Sequence, residues 1–526
     1  MGNVTATASV TRLHRNPRGE SEALPFMRAS LVAAVLFGLT IAACFASMAA
    51  WPLPFLGLVA FYWAVDRAES PRQAVAIGFA AGMAAMIGCF YWLNFTIMVH
   101  GGIHPVASVA MFLLYCVVFG TKFMVMAALM FGLKRHARVT PLVTWPLAVM
   151  AAEVAQLTLF PWFIGSLQVR NLYFIQIADL IGAPGLTFAV ALVASLLYGA
   201  LRRDRRAAIA LLATLAVIYG YGFLRLRQIE SLEAAAPPLR VALVQPNTPL
   251  RWSRFDPPDR GAAVIATCSR LTLEAARAAG GPLDLVVWPE GGTPFSFSSS
   301  SGQLDEYFRA TVSGLARSLN TNMIFYDLLW DGNRPFNNVW LVGRDAAPRG
   351  SYQKIMLLAF GEYIPGADLI PSLEGFGNVT QHRRGTTIRT LPADNAVLAP
   401  QICYEILSPG FTRRFVAMGG QYIINVTNDA WFGNTTASNA HLLQACIRAI
   451  ENRRPLVRDT NSGTSTMVSA GGRFLTPLTP QFVQTFLTAE IHSPAVNTFY
   501  TRFGDIFGWL GVLCVVGLLL PALRRR

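Results

Sequence analysis

The sequence predicts a multi-pass α-helical membrane bundle of about eight spans carrying an α/β domain. Three observations predict it. The 526 residues are 53% hydrophobic and only 14% charged, with a mean hydropathy of +0.42, whereas a soluble domain carries about 25% charged residues. Apolar stretches long enough to cross a bilayer, or nearly so, recur along the chain. Between the last two lies a segment of soluble-domain composition in which short apolar runs alternate with helical patterns.

The apolar stretches fall at about 28–48, 50–65, 74–96, 104–132, 141–161, 183–201, 206–223 and 505–521. The second is short enough to be re-entrant. Residues 1–27 are polar and contain no apolar core of a leader; the first stretch is long and no cleavage site follows, so it reads as a retained span. The net charge of +14 is concentrated at stretch ends: from Arg12 to Arg28, at Lys134, Arg135 and Arg138, at Arg202, Arg203, Arg205 and Arg206, and at Arg524, Arg525 and Arg526. That pattern is a topology signal under the positive-inside rule and argues against nucleic acid as a partner. With the N-terminal tail (1–27) in the cytoplasm, Arg67, Arg72 and the other basic clusters share its side. Seven spans (28–223) then deliver residues 224–504 to the outside face, periplasmic in a two-membrane bacterium, and 505–526 return the chain.

Within 224–504, strands are expected at 239–245, 283–288, 323–328, 339–342, 397–402 and 422–426, and helices at 262–279 and 305–319. Pro400 weakens the fifth strand as a central one. Seven cysteines show neither CxxC nor Cys/His spacing, so neither a disulfide framework nor a zinc site is expected, and the acyl-transfer chemistry read below needs no metal or organic cofactor.

Cys403 ends one apolar run and precedes a helical pattern. A helix N-terminus there would favour the thiolate. Glu290 closes Trp288-Pro289-Glu290 and is followed by Gly291-Gly292, which permits a sharp turn; a carboxylate beside an apolar wall suits proton transfer. Lys354 ends Tyr352-Gln353-Lys354 and is one of three lysines, with Lys122 and Lys134; a compact cation can hold an oxyanion. Taken singly, each has a plain alternative: a core thiol, a solvated carboxylate, a solvated ammonium. Together they form an acyl-transfer set.

These residues in this order, in the strings WPE, YQK, FGEY and ICYE, resemble the nitrilase superfamily. With the membrane spans, the chain resembles the bacterial apolipoprotein N-acyltransferase family over nearly its whole length. The likeness includes Phe160-Pro161-Trp162, Asn337, residues 360–365, residues 428–433, His441, Arg448, Glu451 and residues 460–463. It implies a nitrilase-like αββα sandwich on an eight-helix bundle in the inner membrane. Cys403 would attack an ester of a phospholipid, phosphatidylethanolamine being the expected donor. Glu290 would serve as base, and Lys354 with nearby backbone N–H groups would hold the oxyanion. The acyl chain would pass from the thioester to the α-amino group of the S-diacylglyceryl cysteine of an apolipoprotein. Glu362, Tyr404 and Glu405 match supporting positions of the site, and Trp252, Asn337, Phe360, Tyr363 and Trp431 match substrate-binding ones. A monomer is expected.

Three departures stand out. Ala359 replaces a proline, residues 435–440 lack the usual aromatic string ahead of the histidine, and Ser462 replaces an asparagine. They bear on selectivity more than on chemistry. The competing readings are an acyltransferase for another amine, a membrane-tethered amidase using water, and a non-catalytic scaffold.

Overall fold

The computed structural model describes residues 17–156, 158–250, 258–293, 295–298, 302–332, 334–370, 372 and 379–523. The chain opens with helices α1 (Pro17–Ala46), α2 (Leu53–Asp66), α3 (Pro71–Phe90), the short α4 (Trp92–Phe95), α5 (Pro105–His136), α6 (Pro141–Ala155), α7 (Ala178–Leu201) and α8 (Arg205–Ala235). Ser70 caps α3 through the Gln73 N–H, and Asp204 caps α8 through the N–H groups of Arg206 and Ala207. Proline occupies the first turn of α2, α3, α5 and α6, where no intrahelical N–H is lost.

Each expected apolar stretch coincides with a helix. Five are long and apolar enough to cross a membrane: Met27–Ala46, Pro71–Phe90, Pro105–His136, Phe174–Leu201 and Arg205–Ala235. Leu53–Asp66, Pro141–Ala155 and Ile506–Pro521 are apolar but shorter, so among the described residues length and composition do not confirm the expected count of about eight. Helices α3 and α5 pack closely, a Cβ on Gly82 falling 2.5 Å from the Gly120 carbonyl oxygen. The basic loops meet at one end of the bundle, where Asp66 takes Lys134 at 2.9 Å, the Tyr198 hydroxyl at 2.8 Å and Arg202.

Helix α8 continues beyond the apolar stretch and leads into β1 (Pro238–Gln245). The order then runs α9 (Pro258–Ala278), β2 (Leu285–Val287), α10 (Gln303–Leu319), β3 (Asn322–Asp331), β4 (Arg334–Val342), β5 (Pro348–Gln353), β6 (Leu391–Ala393) and β7 (Ala396–Ile402). It closes with α11 (Pro409–Ala417), β8 (Tyr422–Thr427), α12 (Ala437–Asn452), β9 (Leu456–Thr460), β10 (Thr466–Val468), β11 (Thr485–His492), α13 (Phe499–Phe503) and α14 (Ile506–Leu523).

Two sheets form, ordered β11-β1-β2-β3-β4-β5 and β10-β9-β8-β7-β6. They face each other across a core that includes Val241, Leu243, Val287, Ile324, Leu398 and Ile424. The alternate residues Ala242, Val244 and Val286 face a second core under α9 and α10. Strands buried on both faces explain the continuous apolar runs. On the far side, α12 covers the second sheet, and Leu442, Leu443, Cys446 and Ile450 join the core of the helical bundle. The layers are therefore helix, sheet, sheet, helix, with the last one shared with the bundle.

Pro400 lies in an interior strand, against expectation. Its neighbour β6 pairs only with residues 396–398, so at Pro400 only β8 is adjacent, through Ile424, and no β6 ladder bond is lost. Arg453 ties the domain to the bundle. Fully buried, it donates from Nε and Nη2 to Asp179 Oδ2 at 3.1 and 2.9 Å and from Nη1 to Gln176 Oε1 at 2.7 Å. Arg225 shares the same Asp179 oxygen at 2.7 Å. At Gly182 (φ 67°) α7 kinks, and a Cβ there would strike the Tyr500 ring at 2.6 Å.

Candidate active site

Glu290, Lys354 and Cys403 come from different strands and converge at one edge of the two-sheet core. The β2 run carries on through Trp288, whose N–H donates to Ile324 O at 2.9 Å and whose indole donates to Thr272 at 2.9 Å. The chain then turns at Gly291 (φ 66°), where a Cβ would lie 2.6 Å from the Asn428 side chain. That turn leaves Glu290 facing inward, 8% exposed, with Oε2 accepting the Asn428 N–H at 3.1 Å. Lys354 extends β5 by one residue: its N–H donates to Asn337 O and its carbonyl accepts from Gly385, both at 2.8 Å. Its Nζ, 2% exposed, stands 2.7 Å from Glu362 Oε1 and 3.4 Å from Glu290 Oε1. Cys403 directly follows β7 with φ at 52°, a strained conformation for a residue with a Cβ, and its thiol lies within hydrogen-bonding reach of Glu290.

Two carboxylates share one ammonium, and burial decides the protonation states. Burial pushes Glu290 above the ordinary carboxylate range; Lys354 opposes the shift and Glu362 adds to it. Burial works against charge on Lys354 as well, but Glu290, Glu362 and Cys403 outweigh it, so the ammonium is kept. Burial and the Glu290 charge together push the Cys403 thiol well up. This overturns the expected helix-stabilised thiolate. The residues after Cys403 form one 3-10 turn, Cys403–Leu407, before α11 begins, so no α-helix N-terminus lies at the sulfur.

The supporting residues sort by contact. Glu362 accepts the Leu358 N–H at 2.8 Å and the Asn337 amide, besides holding Lys354. Glu405 accepts from Ile402 N at 2.9 Å, Ile355 N at 2.8 Å, Met356 N at 3.0 Å and the Tyr352 hydroxyl at 2.7 Å. It thereby splices the Cys403 turn to the Lys354 segment; burial pushes it up to about 7 despite these donors. The Tyr404 hydroxyl reaches into the bundle to Leu159 O at 2.7 Å. Below the cysteine lies Asp429, fully buried, paired with Arg458 at 2.8 Å and His441 at 3.0 Å. Burial would raise Asp429, but Arg458 and His441 hold it well below the usual range.

Of the expected substrate-binding residues, Asn337 is buried behind Glu362, its Oδ1 accepting from the Tyr326 hydroxyl at 2.7 Å. Phe360 is 56% exposed with φ at 63°. Tyr363 lies under Arg384, 4.7 Å from the ring centroid. Trp431 is 37% exposed, edge-on to His100 at 5.2 Å. Trp252 lies outside the described residues.

Sequence reasoning did not select the bundle residues Phe45, Phe90 and Trp92 that line the pocket at Cys403. A cavity of about 50 Å³ opens beside the thiol, walled by Phe45, Phe90, Trp92, Phe160 and Trp162 from the bundle and Phe432 from the domain. His441 and Gln444 of α12 are also at its wall. Phe160-Pro161-Trp162, Phe432, His441 and Tyr404 fall within the strings the sequence singled out; nothing local links residues 45, 90 and 92 to residue 403.

A helical bundle fused to a two-sheet domain with a buried Cys-Glu-Lys cluster defines the class, a carbon–nitrogen hydrolase domain built onto a bundle. Residues 240–499 match the carbon-nitrogen hydrolase family model, and residues 37–196 match the apolipoprotein N-acyltransferase N-terminal domain. The chain is 31% identical to an apolipoprotein N-acyltransferase of Geobacter metallireducens, over 96% of this chain and 97% of that one. It is 30% identical to one of Pseudomonas paraeruginosa, over 90% and 93%. Among solved structures, an amidase from Nesterenkonia sp. is 18% identical, covering 50% of this chain and 92% of that one at a TM-score of 0.36. A carbon-nitrogen hydrolase from Helicobacter pylori is 17% identical, covering 48% and 89% at 0.37. The chain belongs to the apolipoprotein N-acyltransferase family.

Proposed function

We propose that this protein transfers an acyl chain from a phospholipid, through a thioester on Cys403, to the α-amino group of the S-diacylglyceryl cysteine of apolipoproteins. It is an acyltransferase with lipoprotein substrates, as its family membership states. The observation that carries the finer reading is the joint origin of the pocket: a thiol, its base and a cation come from the domain, and the aromatic wall around them comes from the bundle.

Glu290 takes the proton of Cys403, and the sulfur attacks the ester carbonyl of the donor, phosphatidylethanolamine. Lys354 stabilises the oxyanion. The carbon–oxygen bond breaks, the leaving lysophospholipid alkoxide takes the proton from Glu290, and a thioester remains. The acceptor amine then attacks the thioester and gives its proton to Glu290. The sulfur leaves as thiolate and is reprotonated. Glu362 keeps Lys354 charged whichever state Glu290 is in. Glu405 and Tyr404 position the Cys403 turn, Asn337 backs Glu362, and Trp252, Phe360, Tyr363 and Trp431 shape the substrate approach. The apolar wall keeps water from the thioester, which favours the amine.

Residues 28–223 and 505–526 hold the lipid and residues 224–504 carry the chemistry. The domain faces the periplasm from the inner membrane. The gathering of Arg202 and Lys134 on Asp66 supports this side, since it puts the basic loops at one end of the bundle. Cluster and pocket are complete within one chain, which fits a monomer.

The test is intact-mass analysis of the purified protein after incubation with phosphatidylethanolamine vesicles. One acyl increment, removed by hydroxylamine and mapped to Cys403, is expected; its absence refutes the reading. The pH dependence follows from Glu290. Because burial raises its pKa above 4.5, the base form is lost on acidification earlier than for an exposed glutamate. The acylation rate should fall with decreasing pH through a midpoint above that value. A rate flat down to pH 4.5 would exclude Glu290 as the base.

A further inference from the structure

A second cavity, of about 460 Å³, lies beside the active pocket, and no described residue lines both. Its walls include Ser47 and Trp51 from the α1–α2 connection, Arg170 from the segment before α7, Asn439 of α12 and Leu478 of the domain. A thin partition separates the two spaces: Phe45 and Ala440 line the active pocket, and their chain neighbours Ala46 and Asn439 line this one. Trp51 precedes α2 and Asp66 ends it, so the cavity sits at the end of the bundle away from the basic loops and against the domain. Arg170 gives it its character. No carboxylate is in the lining, and among the described residues the one partner of the exposed Arg170 side chain is a ring, its guanidinium carbon lying 4.4 Å from the Phe474 centroid. A ring contact uses none of the five N–H donors. The turn that carries Arg170 is fastened to the opposite wall: Gln168 Nε2 donates to Trp51 O at 2.7 Å, and the Asn171 N–H returns to Gln168 O at 2.7 Å. Two neutral donors are at hand. Ser47 Oγ accepts the Ala49 N–H at 3.3 Å, which leaves its own proton to donate. The half-buried Asn439 amide has no partner among the described residues.

We propose that this cavity binds the phosphate of a phospholipid head group, with Arg170 as the charged contact and Ser47 and Asn439 as neutral donors. A guanidinium fork matches the two free oxygens of a phosphodiester, and a lining without carboxylates offers nothing to repel it. The position favours a lipid over a dissolved anion. Helix α2 begins two residues after Trp51, and Leu53 and Leu56 in its first turn are exposed. Apolar helix surface therefore starts at the edge of the cavity, and a tryptophan at such a boundary marks head-group level. A phospholipid satisfies the arginine through its phosphate and covers the leucines with its chains; a free anion does only the first. The inference does not rest on the thioester at Cys403. It adds a lipid site separate from the active pocket, one partition away from the thiol.

The experiment uses the full-length protein in phosphate-free maltoside micelles and a phosphatidylethanolamine with a photoreactive benzophenone on its head group. Peptide mass mapping should place a crosslink within residues 46–51 or beside Arg170. Arg170→Gln should lower its yield by roughly tenfold or more, the scale of a lost hydrogen bond to a charged group. Thermal unfolding in the same micelles checks that the variant folds. Asn439→Ala, which leaves the Phe474 contact untouched, should lower the yield by a smaller factor and decides the matter if Arg170→Gln does not fold. Unlabelled phosphatidylethanolamine should displace the probe, whereas diacylglycerol with the same chains, or inorganic phosphate, should not at equal concentration. No crosslink at these residues in the wild type, or an unchanged yield in a folded Arg170→Gln protein, overturns the proposal. Displacement by diacylglycerol would make this a site for apolar chains, and displacement by inorganic phosphate a site for a free anion; either result overturns it too.

Discussion

Replacing Cys403 with alanine should abolish the acyl adduct and lower turnover by a factor on the order of 10⁶, the scale of losing a covalent nucleophile. Serine should not rescue it. Even the thiol is held well above its usual pKa here, and a hydroxyl is a far weaker acid, so Glu290 has no means to ionise it. Fold should survive both changes. Cys403 is buried, but its carbonyl, not its sulfur, holds the Asn425 amide at 3.3 Å, and the Cys403 turn is fastened by the Glu405 carboxylate. Phospholipid labelling at the wild-type level in the alanine variant, followed by intact mass, would remove the thioester from the mechanism.

Lys354→Met should be nearly as damaging, for two separable reasons. Loss of the oxyanion cation should cost roughly 10²- to 10³-fold in acylation. Loss of the counter-charge leaves Glu362 and Glu290 facing each other without compensation, at a cost of about 3–5 kcal/mol in stability. The two effects have different readouts: single-turnover acylation reports the first and thermal unfolding in detergent the second. A third readout ties them together. Lys354 lowers the Glu290 pKa, so without it the acid limb of acylation should move to higher pH. Lys354→Arg should not restore the rate, because the planar guanidinium cannot occupy the place of a compact ammonium between two carboxylates. Wild-type acylation in a folded Lys354→Met protein would assign the oxyanion to other donors.

Much of the architecture was legible because the strands are buried on both faces. Runs such as Leu243-Val244 in β1 and Ile423-Ile424 in β8 need apolar residues at every position, and the helices α9 and α10 carry their apolar residues on one face. Strands β5 and β9 escaped notice for the opposite reason. Pro348–Gln353 is an edge strand with polar residues, and Leu456–Thr460 buries Arg458 and Asp459, which no pattern of hydropathy flags. Glu290, Lys354 and Cys403, which the structure brings together, were legible as ends of runs with unusual neighbours. The protonation state of Cys403 was not, since it depends on enclosure by residues far off in sequence. The pocket was hidden for the same reason: Phe45, Phe90 and Trp92 look like ordinary bilayer-facing aromatics until α12 is laid against the bundle.

The Arg453 clamp has a further meaning. With Asp179 and Gln176 gripping a fully enclosed guanidinium, the catalytic head is bolted on rather than leashed, and its sulfur stays at one altitude. On the proposed function, such a machine would sort candidates by depth before any chemical recognition begins: a donor ester would have to ride at that level to be touched, with no swing of the head to meet it.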